Sequence, residues 1–407
     1  MKIAIFCSNF PNISQTFVIN QIVGLIALGA EVDIITNNII SEKIMHESVR
    51  EHSLLDRVIC NKLPSDIGKL GKILTVFKSA FNLSIKGKFL DLINILFDQY
   101  LATWQKIDLI YKLDLNKKKP VTYNNIICHF GQYGYYVCKL RELELISGPI
   151  STVFHGQEMS RYKMIEQNLS TYKKLFVCGD LMLPISELWK NQLIKWGCDA
   201  SKIKVHRMGV DIKDFKMKAL KTPFSSPLKV IQIGRLTDKK AILDSINAVV
   251  SVAEKMPIDF TIIGEGELYS EAEQLIKASD ASNYIHLMGK QPQEVVKQKL
   301  DDSDVFLLPS IRATDGDMEG IPVALMEAMA KGIITLSTYH SGIPELIENE
   351  VSGFLVRESQ VEEIANSLLK INNLEIEIID KIRVIAQLKC VEEFNNQTLN
   401  QTLFEYY

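Results

Sequence analysis

The sequence contains no apolar run of about 18 uncharged residues, the minimum that a membrane-spanning helix needs. It also shows no apolar signal region with a small-residue cleavage site, because Lys2 is followed at once by the strand-like run Ile3–Phe6. We therefore expect no transmembrane segment and a cytoplasmic protein.

Two motifs built on cysteine and glycine are also missing. No two of the seven cysteines form a CxxC pair, and no GxGxxG motif follows the first predicted strand. An odd number of cysteines, several of them in apolar runs, is typical of reduced, buried thiols rather than of disulfides or zinc ligands. The net charge of -3 and the pI near 6.2 indicate no affinity for nucleic acid.

The overall composition is typical of a globular protein, with 47% hydrophobic and 23% charged residues. A chain of 407 residues is too long for one core, so two domains are expected. Short apolar runs alternate with helical patterns in two successive series, which predicts α/β domains with parallel sheets. The runs interpreted as strands are 3–6, 32–36, 126–130, 152–155, 176–178, 204–208, 229–233, 259–263, 285–288, 305–309, 333–337 and 354–356.

The polar stretch 211–227, which is rich in lysine and contains Pro223 and Pro227, predicts the junction between the two series. We place the boundary after residue 215, with a second domain over 216–389. Doubly wound sheets bind ligands beyond the carboxyl ends of their strands, so two facing Rossmann-like domains would form a cleft between them. That architecture is typical of an enzyme with two substrates.

The run EGIPVALME at residues 319–327 indicates an anion site at the start of a helix. Pro322 suits the first helical turn, which leaves the N–H groups of Gly320 and Ile321 free to bind a diphosphate. The carboxylates of Glu319 and Glu327 could accept hydrogen bonds from sugar or ribose hydroxyls. The alternative is an amphipathic helix with a solvated glutamate.

The run GRLTDKK at residues 234–240 lies between a predicted strand and a predicted helix. Arg235 and Lys240 could reach a phosphate from such a loop and stabilise charge on a departing diphosphate. The alternative is a basic loop that faces solvent. Spacing does not separate Lys239 from Lys240.

Together these motifs resemble glycosyltransferase family 4, a family of retaining nucleotide-sugar enzymes. The resemblance includes SGIPE at 341–345 and GFLV at 353–356. The runs DGDMEGIP at 315–322 and FPNISQTF at 10–17 are similar to those of exopolysaccharide enzymes of the colanic acid or amylovoran type. The family implies the GT-B glycosyltransferase fold and a C-terminal helix, within 390–407, that returns to the first domain.

The resemblance implies a role for each motif residue. Arg235 and Lys240 would bind the donor diphosphate beside Gly234, Glu327 the ribose, and Glu319 the transferred sugar. The nucleobase would lie near Gly264, Gly266 and Gly289. His155 matches the family's histidine near the reacting centre and would act with Glu319, Arg235 and Lys240.

On the acceptor side the resemblance points to a loop near the N-terminus and to the residues around His155. These candidates are Ser14, Gln15, Thr16, His129 and Glu158. His129 is as well explained as a core histidine. Three departures from the family pattern stand out: Ala241 replaces a glycine, Glu158 an aspartate and Gln15 a glutamate, and they put the acceptor contacts in question.

The acidic run Asp301–Asp304 precedes a predicted strand and is interpreted as a helix end and turn rather than a metal cluster. We expect no metal and no other cofactor, with a UDP- or GDP-sugar as co-substrate. Helix dipoles and the cations would replace a metal ion.

Residues 61–119 contain eleven lysines, five aspartates and no arginine or glutamate, so this segment carries a charge of +6. Apolar residues recur in it at helical spacing: Leu70, Ile73, Leu74, Phe77, Phe81, Leu90, Ile93, Phe97, Leu101 and Trp104. Such a segment can bind the inner face of an anionic cell membrane, where polyprenol-diphosphate-linked acceptors reside. The alternative is packed helices with a solvated lysine face.

The sequence therefore predicts a retaining glycosyltransferase that moves a sugar to a glycan acceptor, in synthesis of an exopolysaccharide or another cell-surface glycan. Two rivals are a sugar-nucleotide epimerase of the same architecture and a non-catalytic carbohydrate-binding protein. The family's favoured mechanism is a front-face displacement, in which the leaving phosphate helps to deprotonate the acceptor hydroxyl.

Overall fold

The computed structural model describes residues 1–12, 15–40, 47–60, 68–116 and 119–406. Its strands are β1 (Lys2–Phe10), β2 (Glu31–Ile39), β3 (Val58–Ile59), β4 (Val121–Thr122), β5 (Asn125–His129), β6 (Ile146–Ser147), β7 (Ile150–Phe154), β8 (Leu181–Pro184), β9 (Leu228–Ile233), β10 (Ile258–Ile263), β11 (Ile285–Leu287), β12 (Val305–Leu308), β13 (Ile334–Thr338) and β14 (Phe354–Val356).

The helices cover both faces of the sheets. They are α1 (Thr16–Ala27), α2 (Glu47–Glu51), α3 (Lys69–Ile85), α4 (Phe89–Phe97), α5 (Thr103–Leu115), α6 (Gly131–Glu142), α7 (Gly156–Ser160), α8 (Tyr162–Cys178), α9 (Glu187–Lys195), α10 (Ile242–Ala253), α11 (Tyr269–Ala278), α12 (Gln293–Asp301), α13 (Val323–Ala330), α14 (Ile343–Leu346), α15 (Val361–Asn372), α16 (Ile376–Glu393) and α17 (Asn396–Glu405).

Two six-stranded parallel sheets confirm the predicted α/β architecture. The first has the order β3-β2-β1-β5-β7-β8 and the second the order β11-β10-β9-β12-β13-β14. Each order reverses beside the first strand of its sheet, between β1 and β5 and between β9 and β12, as in doubly wound Rossmann-like folds. Strands such as β12 and β13 are buried along their whole length, because helices cover both faces of a parallel sheet.

Two of the predicted strands are wrong. Residues 176–178 are the last turn of α8, where Thr171, Tyr172, Leu175 and Phe176 form one buried helical stripe. The apolar run of residues 176–178 has the composition of a short buried strand, which explains the wrong prediction. The strand β8 begins at Leu181. Residues 204–208 form no strand, although the N–H groups of Lys204 and His206 donate to Met182 O and Pro184 O of β8.

The C-terminal part of the chain crosses from the second sheet to the first. Helix α16 packs against α13, the chain turns at Phe394 and Asn395, and α17 packs against α1. A side chain at Gly24 of α1 would collide with Asn400 of α17, so glycine permits this close packing. The boundary at residue 215 remains a prediction.

The acidic run 301–304 spans the end of α12 and the turn before β12, as predicted. Asp301 pairs with Lys331, and Asp304 Oδ2 accepts from the N–H groups of Ser225 and Lys229. These aspartates therefore have structural partners. All seven cysteines are free. Among the described residues, no helix combines the length and apolarity needed to cross a bilayer.

Candidate active site

Glycines gather at the carboxyl ends of β9, β10 and β11. Gly264 follows β10, and its N–H donates to Gly289 O at 2.9 Å. A side chain at Gly264 would collide with Gly234 O, and one at Gly266 with Leu236 O. The four glycines predicted for the donor site, Gly234, Gly264, Gly266 and Gly289, thus lie together at one edge of the sheet. Because they have no side chains, the loops can pack backbone against backbone there.

Two lysines and two carboxylates from distant parts of the second domain meet beside this edge. Lys240 Nζ lies 3.1 Å from Glu319 Oε1, an ion pair without hydrogen-bond geometry, and Lys239 Nζ lies 3.8 Å from the same oxygen. Lys239 Nζ also lies 3.2 Å from Asp317 Oδ2. Both lysines therefore face Glu319, and Lys240 is the closer of the two.

Glu319 is an ionised carboxylate in this pocket. Its burial alone would raise the pKa of the carboxyl, but the ammonium groups of Lys240 and Lys239 outweigh that effect and hold the pKa below its usual value. A buried carboxylate needs such partners because low dielectric penalises an isolated charge. Glu319 is therefore held between two cations, one of which, Lys239, also pairs with Asp317.

The loop before α13 presents two free backbone N–H groups. Within the described residues, the N–H groups of Gly320 and Ile321 have no hydrogen-bond partner. Pro322 directly precedes α13, so the first N–H groups of the helix add to the same positive end. This arrangement can hold an anion.

Two further predicted donor residues differ in environment. Arg235 is exposed and has no carboxylate partner in the described part of the chain, so its guanidinium is available to a ligand. Glu327 lies on α13, where burial raises the pKa of its carboxyl to about 7 against the opposing effect of Lys297 and Lys331. At neutral pH this carboxyl is partly protonated.

Ala241, which replaces a glycine of the family pattern, adopts the left-handed conformation with φ 47° and ψ 45°. It directly precedes α10 and ends the short turn Asp238–Lys240. A left-handed residue with a Cβ is strained by about 1–2 kcal/mol relative to glycine. The loop therefore keeps the backbone geometry that glycine would adopt freely.

The first domain contributes a chain of buried imidazoles. His155 Nε2 lies 3.2 Å from His129 Nδ1, and His129 Nε2 lies 3.0 Å from Gln21 Oε1. The nitrogen of the Gln21 amide lies 3.2 Å from His206 Nε2. With the amide in this orientation, His129 donates to Gln21 through Nε2 and accepts at Nδ1 the proton of His155 Nε2.

These imidazoles are neutral. Burial, followed by the proximity of His206, lowers the pKa of His129 to about 3, and burial likewise holds the pKa of His155 well below its usual value. The rings of Phe17 and Phe130 flank His155, each with its centroid 4.6 Å from the imidazole. His155 is therefore a rigidly held, uncharged group.

The acceptor-side candidates divide into two groups. His129 and Glu158 are fully buried, and Glu158 Oε1 accepts from His155 N–H at 2.7 Å, so Glu158 holds the loop that carries His155. Gln15 and Thr16 begin α1 after the end of β1, at the cleft-side edge of the sheet. Ser14 lies outside the described residues.

The two domains meet where the loop and short helix after β7 approach the loop before α13. A Cβ on Gly156 would lie 3.0 Å from Gly320 N and 3.1 Å from Met318 O, tighter than most Cβ contacts, so glycine favours this close approach. Met318 N–H also donates to Ser160 Oγ at 3.0 Å. The predicted histidine and the predicted sugar-binding glutamate thus lie on adjoining loops.

A second interdomain contact involves Glu345 of the SGIPE motif. Its carboxylate accepts from the N–H groups of Glu187 and Leu188, at 3.1 and 3.2 Å, and so caps the start of α9. Arg207 lies 3.1 Å from the same carboxylate. One motif of the second domain therefore anchors a helix of the first.

Several residues of the site were not predicted. They are Phe17, Gln21, His206, Asp317, His340 and Glu358. His340 stands two residues after β13, at an edge where doubly wound sheets bind ligands, which is a signal that sequence reasoning could have used. Gln21 and His206 carry no local signal, because their contacts join residues that are 185 positions apart.

The geometry is that of a two-domain GT-B glycosyltransferase, with a glycine-rich edge and two lysines in one domain and a facing histidine in the other. A family model described as glycosyl transferases group 1 matches residues 215–384. The chain is 37% identical to the amylovoran biosynthesis glycosyltransferase AmsK of Erwinia amylovora over 412 residues, which cover 100% of this chain and 98% of AmsK. It therefore belongs to the glycosyl transferases group 1 and is a glycosyltransferase of the hexosyltransferase type.

Two more distant proteins share part of this likeness. An Escherichia coli UDP-Gal:α-D-GlcNAc-diphosphoundecaprenol α-1,3-galactosyltransferase is 26% identical over 210 residues, covering 49% of this chain and 51% of its own. The crystal structure of Anabaena Alr3699/HepE in complex with UDP has a TM-score of 0.70 and 16% identity, covering 100% of this chain and 98% of HepE. This structural likeness confirms the fold.

Proposed function

We propose that this enzyme transfers a sugar from a UDP- or GDP-sugar, with retention of configuration, to a glycan carried on polyprenol diphosphate. The product would be part of an exopolysaccharide. The similarity to AmsK along the whole chain supports the exopolysaccharide role, and the diphosphoundecaprenol named for the more distant galactosyltransferase supports the acceptor class.

One observation carries the donor assignment: two lysines and unpaired backbone N–H groups surround Glu319. A nucleoside diphosphate gains negative charge as its bond to the sugar breaks, and preorganised cations stabilise that charge. Lys240, the free N–H groups of Gly320 and Ile321 and the exposed Arg235 supply such partners. The carboxylate of Glu319, which Lys240 holds ionised, would accept hydrogen bonds from the hydroxyls of the transferred sugar.

Retention is the stereochemistry of the family that the motifs resemble, and the carboxyl groups beside the interdomain contact indicate which retaining mechanism applies. Glu158 Oε1 is used by His155 N–H, and Glu319 is paired with lysine, so neither is a free nucleophile for a double displacement. The leaving phosphate would then take the proton of the acceptor hydroxyl on the same face of the sugar. His155, which is neutral, would stabilise the anomeric region without repelling the positive charge that develops there.

The test is a thermal-shift screen of UDP-glucose, UDP-galactose, UDP-N-acetylglucosamine, GDP-mannose and GDP-fucose, followed by transfer assays with the sugar that binds. A ligand that binds only the folded state raises the melting temperature. Lys240→Met should lower kcat/KM by about 100-fold, while the matched control Lys255→Met, at an exposed position just after α10, keeps the wild-type rate.

Two results would contradict the proposal. Wild-type turnover in Lys240→Met would remove the phosphate assignment. Release of an epimerised nucleotide sugar from a labelled donor, without any acceptor, would favour the epimerase instead.

We further propose that α3 and α4 bind the inner face of the cell membrane. The inner side of α3 packs in the domain through Ser79 and Leu83, yet its opposite side is an apolar stripe open to solvent. Phe77 and Phe81 are 71% and 68% exposed, and Phe97 at the end of α4 is 81% exposed. At about 200 Å² per phenylalanine these three alone expose roughly 400 Å², as much as the largest apolar patch of a typical monomer.

The charges around this stripe favour an anionic bilayer over a protein partner. Asp98, Asp108 and Asp114 are neutralised by ion pairs with Lys139, Lys112 and Lys86. In the described part of the chain, Lys72, Lys78 and Lys88 have no carboxylate partner. Each such lysine near an anionic membrane surface contributes about 1 kcal/mol of binding.

Co-sedimentation of the full chain with vesicles tests this surface. The wild type should pellet with vesicles of 70% phosphatidylcholine and 30% phosphatidylglycerol and less with phosphatidylcholine alone. Phe77→Glu/Phe81→Glu should weaken binding about 10-fold, whereas Ile378→Glu, at an exposed apolar position of α16, should not. Equal binding by wild type and double variant, or no binding by the wild type, would refute the proposal.

A further inference from the structure

His340 makes two hydrogen bonds behind the donor pocket. It follows β13, is completely buried, and lies with Nε2 3.1 Å from Glu319 N and with Nδ1 2.7 Å from Glu358 Oε1. A backbone N–H can only donate, so Nε2 must carry no proton. The proton therefore resides on Nδ1 and is donated to Glu358, which selects one neutral tautomer of the ring.

The residue after His340 completes a clamp on Glu319. Ser341 Oγ donates to Glu319 O at 2.6 Å, so both the N–H and the C=O of Glu319 are held by consecutive residues. A Cβ on Gly342 would lie 2.8 Å from Ile321 Cγ1, which shows how closely this loop follows the donor loop. The backbone of Glu319 is consequently fixed while its side chain extends to Lys240.

Glu358 connects this clamp to another loop of the pocket. While its Oε1 accepts from His340, its Oε2 accepts from Arg312 N–H at 2.9 Å. Arg312 lies in the segment between β12 and α13, which also carries Asp317, the partner of Lys239. The Glu358 carboxylate thus links Arg312, at the start of this segment, to His340, which in turn binds Glu319 near its end.

We propose that His340 and Glu358 are positioning residues that hold the main chain of Glu319 so that its carboxylate meets the transferred sugar. This inference rests on the proposed function, in which Glu319 binds the sugar while other groups bind the diphosphate. A functional side chain must be held within about 0.5 Å of its productive position, so release of the backbone should weaken sugar contacts first. The nucleoside diphosphate should bind almost as before.

The experiment compares the affinity of the donor found in the five-sugar screen with that of its parent nucleoside diphosphate. In the wild type the nucleotide sugar should bind more tightly than the diphosphate. His340→Phe keeps a ring but loses both hydrogen bonds, and should reduce this preference about 10-fold while changing diphosphate affinity less than twofold. His340→Gln, whose side-chain oxygen can accept from Glu319 N–H, should restore most of the preference.

Glu358 offers a test at a position that is partly exposed and tolerant of substitution. Glu358→Gln keeps one acceptor, for His340 Nδ1–H, and loses only the bond from Arg312 N–H, so it should keep most of the preference for the nucleotide sugar. Glu358→Ala frees the ring to place its proton on Nε2, opposite the Glu319 N–H, and should reduce the preference about fivefold. The comparison of Glu358→Gln with Glu358→Ala tests the positioning role even if His340→Phe does not fold.

Hydrogen exchange supplies a readout that needs no ligand. The Glu319 amide should exchange at least 10-fold faster in His340→Phe than in the wild type, with the melting temperature of each recorded beside it. If the wild type binds none of the five sugars, the proposed function fails and this inference fails with it. If the wild type prefers the sugar and both His340→Phe and Glu358→Ala keep that preference, or lose both affinities equally, this inference alone is overturned.

Discussion

The two sides of the candidate active site differ in charge, although they touch each other. On the second-domain side, Lys239 and Lys240 surround Glu319 and hold the pKa of its carboxyl below the usual value. On the first-domain side, burial lowers the pKa of His155 and raises that of Glu158 to about 7, so ionisation is suppressed. One side is ionic and the other is close to neutral.

The difference follows the chemistry expected on each side. A diphosphate brings negative charge, and fixed cations stabilise it most effectively where water is excluded. A protonated imidazole beside the anomeric carbon would instead repel the positive charge that develops there. In the proposed reaction, the neutral network of His155, His129 and Gln21 would avoid this repulsion, and its hydrogen bonds would hold the His155 ring in one orientation.

The largest effect should come from replacing the neutral histidine. His155→Phe keeps the volume of the ring and removes its polar atoms, so we expect transfer to fall about 100-fold with donor affinity changed less than threefold. Steady-state kinetics and calorimetric titration with the donor would measure both quantities. His286→Phe, at a partly exposed position on β11, serves as the control. A normal rate in His155→Phe would show that the neutral side takes no part in the reaction.

A smaller effect is expected from separating the two sides. In Gly156→Ala the new methyl group would lie 3.0 to 3.2 Å from Gly320 N, Met318 O and Glu319 C, all backbone atoms that cannot move independently. The domains should close less completely, and kcat should fall about 10-fold. The matched control is Gly68→Ala, since a Cβ there meets nothing within 4 Å. Equal kcat values for the two variants would show that this contact is not needed for turnover.

The last prediction concerns stability and pH and leaves turnover aside. Because burial raises the pKa of Glu158 to about 7 from 4.5, the folded state retains a proton that the unfolded state releases. The free energy of unfolding should therefore fall as pH rises from about 4.5 to 7, by up to about 3 kcal/mol. Glu158→Gln keeps the acceptor for His155 N–H and should remove this decline, as measured by denaturant unfolding at pH 5 and pH 8.

The control for this measurement is Glu166→Gln, on the exposed side of α8. It should leave the decline unchanged. An equal fall in wild type and Glu158→Gln would mean that Glu158 is ionised in the folded protein and that the first-domain side is not neutral.

Local patterns predicted the parts of this site that are continuous in sequence. The runs at 234–240 and 319–327 lie at strand ends and a helix start, so strand, loop and helix signals point to the same residues. Where a local pattern fitted two structures, the predicted element was wrong or the choice between two residues was left open. Residues 176–178 imitate a buried strand within α8, and spacing alone did not separate Lys239 from Lys240.

The amino-acid sequence by itself determined the two doubly wound α/β series and the positions of the motifs at strand ends and at a helix start, because periodicity, capping and turn chemistry act over a few residues. Only the tertiary structure decided which side chains of the site are ionised and which are fixed by hydrogen bonds. The pairing of Lys240 with Glu319, the clamp of His340 on Glu319 and the approach of Gly156 to Gly320 all join residues far apart in the chain. Burial and Coulomb interactions depend on the distance between groups in space. That distance cannot be read from their separation along the chain.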